Sequence, residues 1–582
     1  MDRRIGLLIP LFLSAAGSSY SAPPPGAPAP VARLYEVKKG LGERAGMVLP
    51  HDAYGDSASR LVYLEQGWGP AETLWFYHAD QGSVLLPYDT LVNLEQAGSE
   101  KLLIDPENLA RFRFLNQHKT PNNPHALPVG FSRHKDQAGL TCAACHTTQI
   151  NFHGTAMRID GAPALVDVAS FLRAVRDSLA ATLADAAKLA RFAAAVPGGG
   201  SDKPSLEAAR RSLEQTLAWF DSYNAANRSS TIEGFGRLDA IGRIINQAIR
   251  FTSDAKNSLE TNAPASYPLL WDAPRHDYVQ WTGFSSNAGA GSLGRNVGEV
   301  IGVFGHVEAK HYATEKEAKK GYVSTIEAGA LVAMEESLRH LKSPRWPEQI
   351  LPPIDRQLAA RGQGLYKAQC ESCHALIDRD DPKRRVVAVL TGADRVGTDA
   401  TSAKNLVAAQ VPAGILTGAS SPRGGVYPPR ISALALLGDL VTRTLAANPV
   451  AAVAALTNAK VHGLAKTAKQ GDHAQPSADQ PVADLYAYKA RPLNGAWASS
   501  PYLHNGSVPT LYDLLLPPTA RPKKFAVGRL EFDPHKVGYV SDGNEPFVVD
   551  TAVTGNSNRG HEYGVTLSQE ERWALVEYLK TL

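Results

Sequence analysis

Two pentapeptides, Cys142-Ala143-Ala144-Cys145-His146 and Cys370-Glu371-Ser372-Cys373-His374, use all four cysteines of this 582-residue chain. Two thiols at that spacing can add to the vinyl groups of one haem, and the histidine that follows is then placed to bind the iron. Zinc clips and dithiol redox pairs share the cysteine spacing but need no histidine directly after it, and here both pairs carry one. The chain is therefore expected to hold two covalently attached c-type haems. Cys142, Cys145, Cys370 and Cys373 are the attachment points, and His146 and His374 the proximal iron ligands. No cysteine remains for a disulfide.

The amino end reads Asp2-Arg3-Arg4, then an apolar run from Ile5 to Ala16, then Gly17, Ser18, Ser19 and Ser21. This pattern predicts a secretory signal peptide over residues 1–21, followed by a Pro/Ala-rich exposed leader over 22–31. The apolar run is short for a membrane span and no later stretch is long enough, so no membrane span is expected. A periplasmic or secreted protein agrees with haem attachment, which bacteria carry out beyond the cytoplasmic membrane. The formal charge of +3 is small for this length and gives no case for nucleic acid or an anionic membrane as partner.

The remaining chain is long enough for two or three domains. Helical spacing of apolar residues marks 166–196 and 205–227, separated by Pro197-Gly198-Gly199-Gly200, and again 326–341. Pro344, Pro347 and Pro352-Pro353 then suggest a boundary near 345–355. The expected organisation is an N-terminal haem domain, 32–350, carrying the reactive haem, and a C-terminal haem domain, 351–582, carrying an electron-transfer haem. Residues 436–480, rich in Ala, Lys and Thr, read as including an exposed excursion. Near the end, Ser568 and Glu571 form a capping box, and Trp573, Val576, Leu579 and Leu582 recur at helical spacing. With Gly362-Gln363-Gly364-Leu365-Tyr366 before Cys370, this resembles the paired terminal helices of a class I cytochrome c domain. The fold class expected is mainly α, with two cytochrome c-like haem domains, long loop-rich insertions and little β structure.

The second axial position of each iron decides function. A strong protein ligand there makes an electron carrier, whereas an open position admits peroxide or dioxygen. Methionine is scarce beyond the leader, with only Met47, Met157 and Met334, so histidines are the larger pool of donors. His153 and Met157 follow His146 too closely to reach its opposite face and read as loop or packing residues. The first haem is accordingly expected to be open and reactive.

Several further segments carry a family likeness: Gln66-Gly67-Trp68, Trp75-Phe76-Tyr77-His78, Gly139-Leu140-Thr141-Cys142, Arg295-Asn296-Val297-Gly298-Glu299-Val300 and Arg491-Pro492-Leu493-Asn494-Gly495. Pro501-Tyr502-Leu503-His504-Asn505-Gly506-Ser507 and Gly528-Arg529-Leu530-Glu531-Phe532-Asp533-Pro534-His535 extend it. On these motifs the chain resembles the bacterial di-haem cytochrome c peroxidase superfamily, in particular the branch containing the di-haem rubber oxygenases. The resemblance implies that His535 supplies the sixth ligand of the second haem or stands beside that site. It also implies that His504 lies near the haem propionates rather than on the iron. A His374/His535 pair would make the second haem low-spin and fairly low in potential.

Ser292 to Val307 reads as a helix with Leu293, Val297, Val300, Ile301 and Phe304 on one apolar face. Gly294, Gly298 and Gly302 recur at four-residue intervals, which suits close approach of either another helix or a haem. Glu299 is a candidate acid/base group and Arg295 a candidate for polarising the leaving oxygen of peroxide, the alternative being an ion-paired face. Trp281, Phe284 and Phe304 offer an apolar lining that would suit dioxygen and a hydrocarbon. The first expectation is thus a peroxidase acting on hydrogen peroxide, supplied with electrons by a small donor cytochrome. Its alternatives are a dioxygenase cleaving a hydrophobic polyisoprene and a non-catalytic two-haem electron carrier.

Overall fold

The computed structural model describes residues 34–36, 44–464, 470–471, 486–541, 543 and 546–582. The expected signal peptide (1–21) and leader (22–31) lie outside the described residues, as do 465–469 and 472–480 of the stretch read as an excursion. The chain is 38% helix and 15% strand, with the strands in small sheets. Helices carry the fold, yet strands are more numerous than expected.

The largest sheet sets the exit of the first Cys-x-x-Cys-His segment. Strand Thr147–Phe152 begins one residue after His146 and pairs antiparallel with Thr155–Asp160, which runs parallel to Arg60–Leu64. Its residues are buried on both faces up to Phe152, so the strand reads as continuous apolar and small polar residues rather than as an alternation.

The expected helices form, with trimmed ends. Residues 166–196 become Val168–Ala184 and Ala186–Ala195, each started by an aspartate side chain, Asp167 and Asp185. The 205–227 periodicity becomes Lys203–Ala226, capped by Asp202 with Pro204 in its first turn. Much of the 436–480 segment is helical too, as Ala433–Ala446 and Pro449–Val461. Among the described residues no single helix is long and apolar enough to cross a membrane.

Helices Arg356–Gln369 and Gln569–Thr581 pack against each other as the paired terminal helices were expected to. Gly362 makes this possible, since a Cβ there would sit 1.9 Å from the carbonyl oxygen of Ala574. One turn on, Tyr366 and Tyr578 pack with ring centres 5.2 Å apart. The capping box is formed, Ser568 Oγ accepting from Glu571 N and Ser568 N donating to the Glu571 carboxylate. This pair of helices brings Cys370, at the end of the first, close to the loop that precedes the second.

The boundary read near 345–355 is not a break between cores. Trp346, Leu351 and Ile354 are buried in one apolar cluster with Val62, Phe76 and Met157 from one side of it and Trp497, Phe532 and Leu575 from the other. The two halves are bound by a common interior.

Candidate haem sites

The first Cys-x-x-Cys-His segment is a 3-10 turn, Cys142–Ala144, whose preceding Thr141 side chain accepts from Ala143 N. Gly130, at φ +88°, lies so close beneath it that a Cβ would meet Ala144 N at 2.2 Å. The chain leaving the turn is pinned as well, with Gly161 N donating to His146 O at 2.7 Å and Ala164 N to Cys145 O at 2.9 Å. Burial pushes the two thiols up to about 11 at Cys142 and about 12 at Cys145, so both would be neutral if free. Burial likewise pushes His146 down to about 4, against the opposing influence of the Pro268 backbone, which leaves a neutral ring able to act as a ligand.

Polar groups at this turn are left without protein partners. His146 Nδ1 makes no hydrogen bond of good geometry, and the amide nitrogen of the fully buried Gln81 has none, although Gln81 Oε1 lies 3.4 Å from Cys142 Sγ. Buried polar atoms are normally satisfied, so these orphans fit a site built to surround a further group. A thioether-bound haem is the group that the Cys, Cys and His donors suit.

The second segment follows helix Arg356–Gln369 directly. His374 N donates to Cys370 O at 2.8 Å, and His374 Nδ1 is hydrogen-bonded to Arg491 O at 2.7 Å, which leaves Nε2 as the free donor atom of the ring. Facing it is His561, with ring centres 6.2 Å apart. Two imidazoles on opposite sides of one metal, each with a bond of about 2 Å and roughly 1 Å from nitrogen to ring centre, would stand about 6 Å apart. Both rings line a cavity of about 230 Å³ together with Cys370, walled by Leu511, Leu575 and Leu579. His561 Nδ1 is buried without a partner, and burial together with the nearby His374 and Arg521 pushes the ring down to about 3. These residues fit a haem held between two neutral imidazoles.

His535 is not at this site. It is exposed on a turn, where Asp533 accepts its backbone N–H, and its ring stacks on Trp573 at 3.9 Å. The histidine that faces His374 is His561 instead. Sequence reasoning missed His561, although a histidine in the loop just before a capped terminal helix is in position to reach over a haem clasped by that helix. His504 lines the same cavity, buried, stacked on Tyr488 at 4.1 Å and pushed down to about 4 by burial.

The helix expected over 292–307 spans Gly291–Gly302. It ends before Phe304, which adopts φ +75° and packs on Trp219 and Tyr223 in another cluster. Phe304 therefore sits in a packed cluster that also holds Ala144 of the first turn and Tyr267, with Cys145 packed against it. The glycine stripe is a helix-packing surface. A Cβ on Gly302 would meet Ile244 at 2.3 Å, while Gly294 and Gly298 face Val441 of helix Ala433–Ala446. Arg295 is anchored rather than free to polarise oxygen, with Nη2 2.5 Å from Glu335 and Nη1 2.6 Å from Asn287.

Glu299 sits differently. It is half-buried, desolvation raises its pKa against the lowering influence of Arg295 and Gln280, and its charge would raise both Cys142 and Cys145. The Gln280 side-chain amide donates to Glu299 Oε1. Trp281, next in sequence, lines the second cavity, and its indole N–H donates to Ser266 O at 2.9 Å. Tyr267, which follows Ser266, packs edge-on against His146 at 6.1 Å. One short segment thus touches both sites.

A family described as RoxA-like, cytochrome c-like matches residues 487–526, the stretch that supplies Tyr488, Arg491 and His504 to the second cavity. The uncharacterized protein y4iJ of Sinorhizobium fredii (strain NBRC 101917 / NGR234) is 31% identical over 594 aligned residues, covering 90% of this chain and 93% of that protein. The uncharacterized protein y4iM of the same strain is 39% identical over 120 residues, 17% of this chain and 28% of its own length.

Proposed function

The chain belongs to the same family as the y4iJ protein of Sinorhizobium fredii and carries a RoxA-like cytochrome c segment, and from that premise we propose a periplasmic or secreted di-haem oxidoreductase of the peroxidase kind. A haem-based oxidoreductase is the coarser reading that the cytochrome c segment supports. The finer reading adds hydrogen peroxide as oxidant and a small donor cytochrome as reductant. The balance is one hydrogen peroxide, two electrons and two protons giving two waters.

Cys142, Cys145 and His146 would hold one haem, and Cys370, Cys373, His374 and His561 the other. When bound, the first haem supplies an exchangeable iron position for peroxide, and the second stores and passes electrons. The observation that carries the peroxidase reading is Glu299, a half-buried carboxyl raised in pKa by desolvation within electrostatic reach of Cys142 and Cys145. With Oε1 engaged by Gln280, Oε2 is the atom left to take a proton from one peroxide oxygen and return it to the other. The raised pKa makes this carboxylate a better proton acceptor than an exposed glutamate. Arg295, tied to Glu335, holds the helix and lowers the cost of charging Glu299. Trp281, between Ser266 and the second cavity, is the proposed route for electrons.

The test is turnover of the purified, haem-loaded protein. Peroxide-dependent oxidation of a reduced small cytochrome is expected. Oxygen uptake with release of isoprenoid aldehydes from latex, without peroxide turnover, would favour the polyisoprene dioxygenase, to which the RoxA-like segment gives some support. Neither activity would leave the electron carrier.

A further inference from the structure

Among the described residues, the second cavity is lined by two cations that make no ion pair with a protein carboxylate. Lys489 lies on strand Ala487–Ala490 and Arg491 just beyond it, and both contribute to the cavity wall. Lys489 Nζ is 3.0 Å from Nδ1 of His276, a buried ring that can accept its hydrogen bond only while neutral. Arg491 reaches only the backbone oxygens of Leu269, at 3.2 Å, and Trp271, at 3.4 Å, and its Nε is buried without a partner. Nearby carboxylates are committed elsewhere: Asp272 to Arg384 and Asp277 to Arg385, each at 2.6 Å, and Glu335 to Arg295 at 2.5 Å.

Among the described residues, then, Lys489 and Arg491 are half-buried cations facing the cavity, with only the charge of Asp272, itself paired to Arg384, felt at Arg491. Such charges are expensive unless something anionic occupies the space they line. The same Arg491 fixes the ring of His374 through its carbonyl, so any anion it holds is tied to the iron-binding side of the cavity.

We propose that Lys489 and Arg491 form a carboxylate-binding site for the propionate side chains of the haem carried on Cys370 and Cys373, an inference that rests on the di-haem reading above. Their charge compensates those carboxylates at the edge of the group and disfavours the ferric, more positive iron. The pair thereby raises the reduction potential of a bis-imidazole centre that would otherwise be low.

The experiment is redox titration of the second haem, followed by its low-spin absorption, in the full-length haem-loaded protein and in Lys489→Met, Lys489→Arg and Arg491→Gln. Lys489→Met and Arg491→Gln are each expected to shift the ratio of oxidised to reduced haem at least tenfold toward oxidised at a fixed potential, about 59 mV downward for one electron. Lys489→Arg, which keeps the charge, is expected to stay close to the parent. Unmoved potentials in both neutral variants, with haem content intact, would overturn this inference alone, as would an equal fall in Lys489→Arg, which would point to packing rather than charge. Absence of a low-spin second haem in the parent protein would overturn both this inference and the di-haem reading.

Discussion

His374 and His561 face each other across the second cavity with ring centres 6.2 Å apart, one from the end of a helix and the other from the loop before the last helix. If these rings close both apices of one iron, His561→Ala should open it. The variant is expected to bind added cyanide or imidazole at the second haem, seen as a ligand-induced change in its absorption spectrum. His535→Ala should not, because His535 is stacked on Trp573 at the surface.

Replacing Glu299 tests the proton-transfer role. Glu299→Gln is expected to lower peroxide turnover by about 10²- to 10⁴-fold, the usual range for loss of an acid/base group. Because burial raises the Glu299 pKa, the parent enzyme's kcat/KM for peroxide should fall as pH drops through a value above the ordinary 4.5. That acid limb should be missing from the variant.

The clasp between the terminal helices gives a paired stability test. Gly362→Ala places a methyl against the Ala574 carbonyl and should cost about 1–3 kcal/mol in urea unfolding. Gly364→Ala, on the same helix with nothing within 4 Å, should be neutral or stabilise by up to about 1 kcal/mol.

Asp239 predicts a pH dependence of stability. Its side chain accepts from Gly242 N and Ala263 N, and burial pushes it up to about 7 from 3.8. Between those values the folded protein holds a proton that the unfolded chain has released, so this group's contribution is full at low pH and is lost as pH rises through about 7. The urea midpoint of the parent minus that of Asp239→Asn should therefore decrease between pH 4 and pH 7 and level off above.

What the sequence made legible was local. Covalent spacing gave both Cys-x-x-Cys-His turns, apolar periodicity gave the long helices, and Ser568 with Glu571 marked the start of the last one. What it left hidden depends on distant partners. His561 acquires its place only when the last helix folds over helix Arg356–Gln369, and no residue spacing announces that. Arg295 reads as a free cation on a helix face until Glu335, forty residues on, is brought to it. Phe304 fits the helical period by number, but the helix stops at Gly302 and the chain turns through a positive φ, sending the ring into another core. The expected boundary near residue 350 is overridden by Trp346, Leu351 and Ile354, which fill an interior built from both halves.

The central claim is that the two irons differ, one closed by His374 and His561 and one bound by His146 with its other position exchangeable. Low-temperature electron paramagnetic resonance of the oxidised protein, with and without added cyanide, measures this most directly. The account predicts one low-spin bis-imidazole signal that cyanide leaves alone and a second haem signal that cyanide changes. Two signals that both ignore cyanide, or a bis-imidazole signal that persists in His561→Ala, would contradict it.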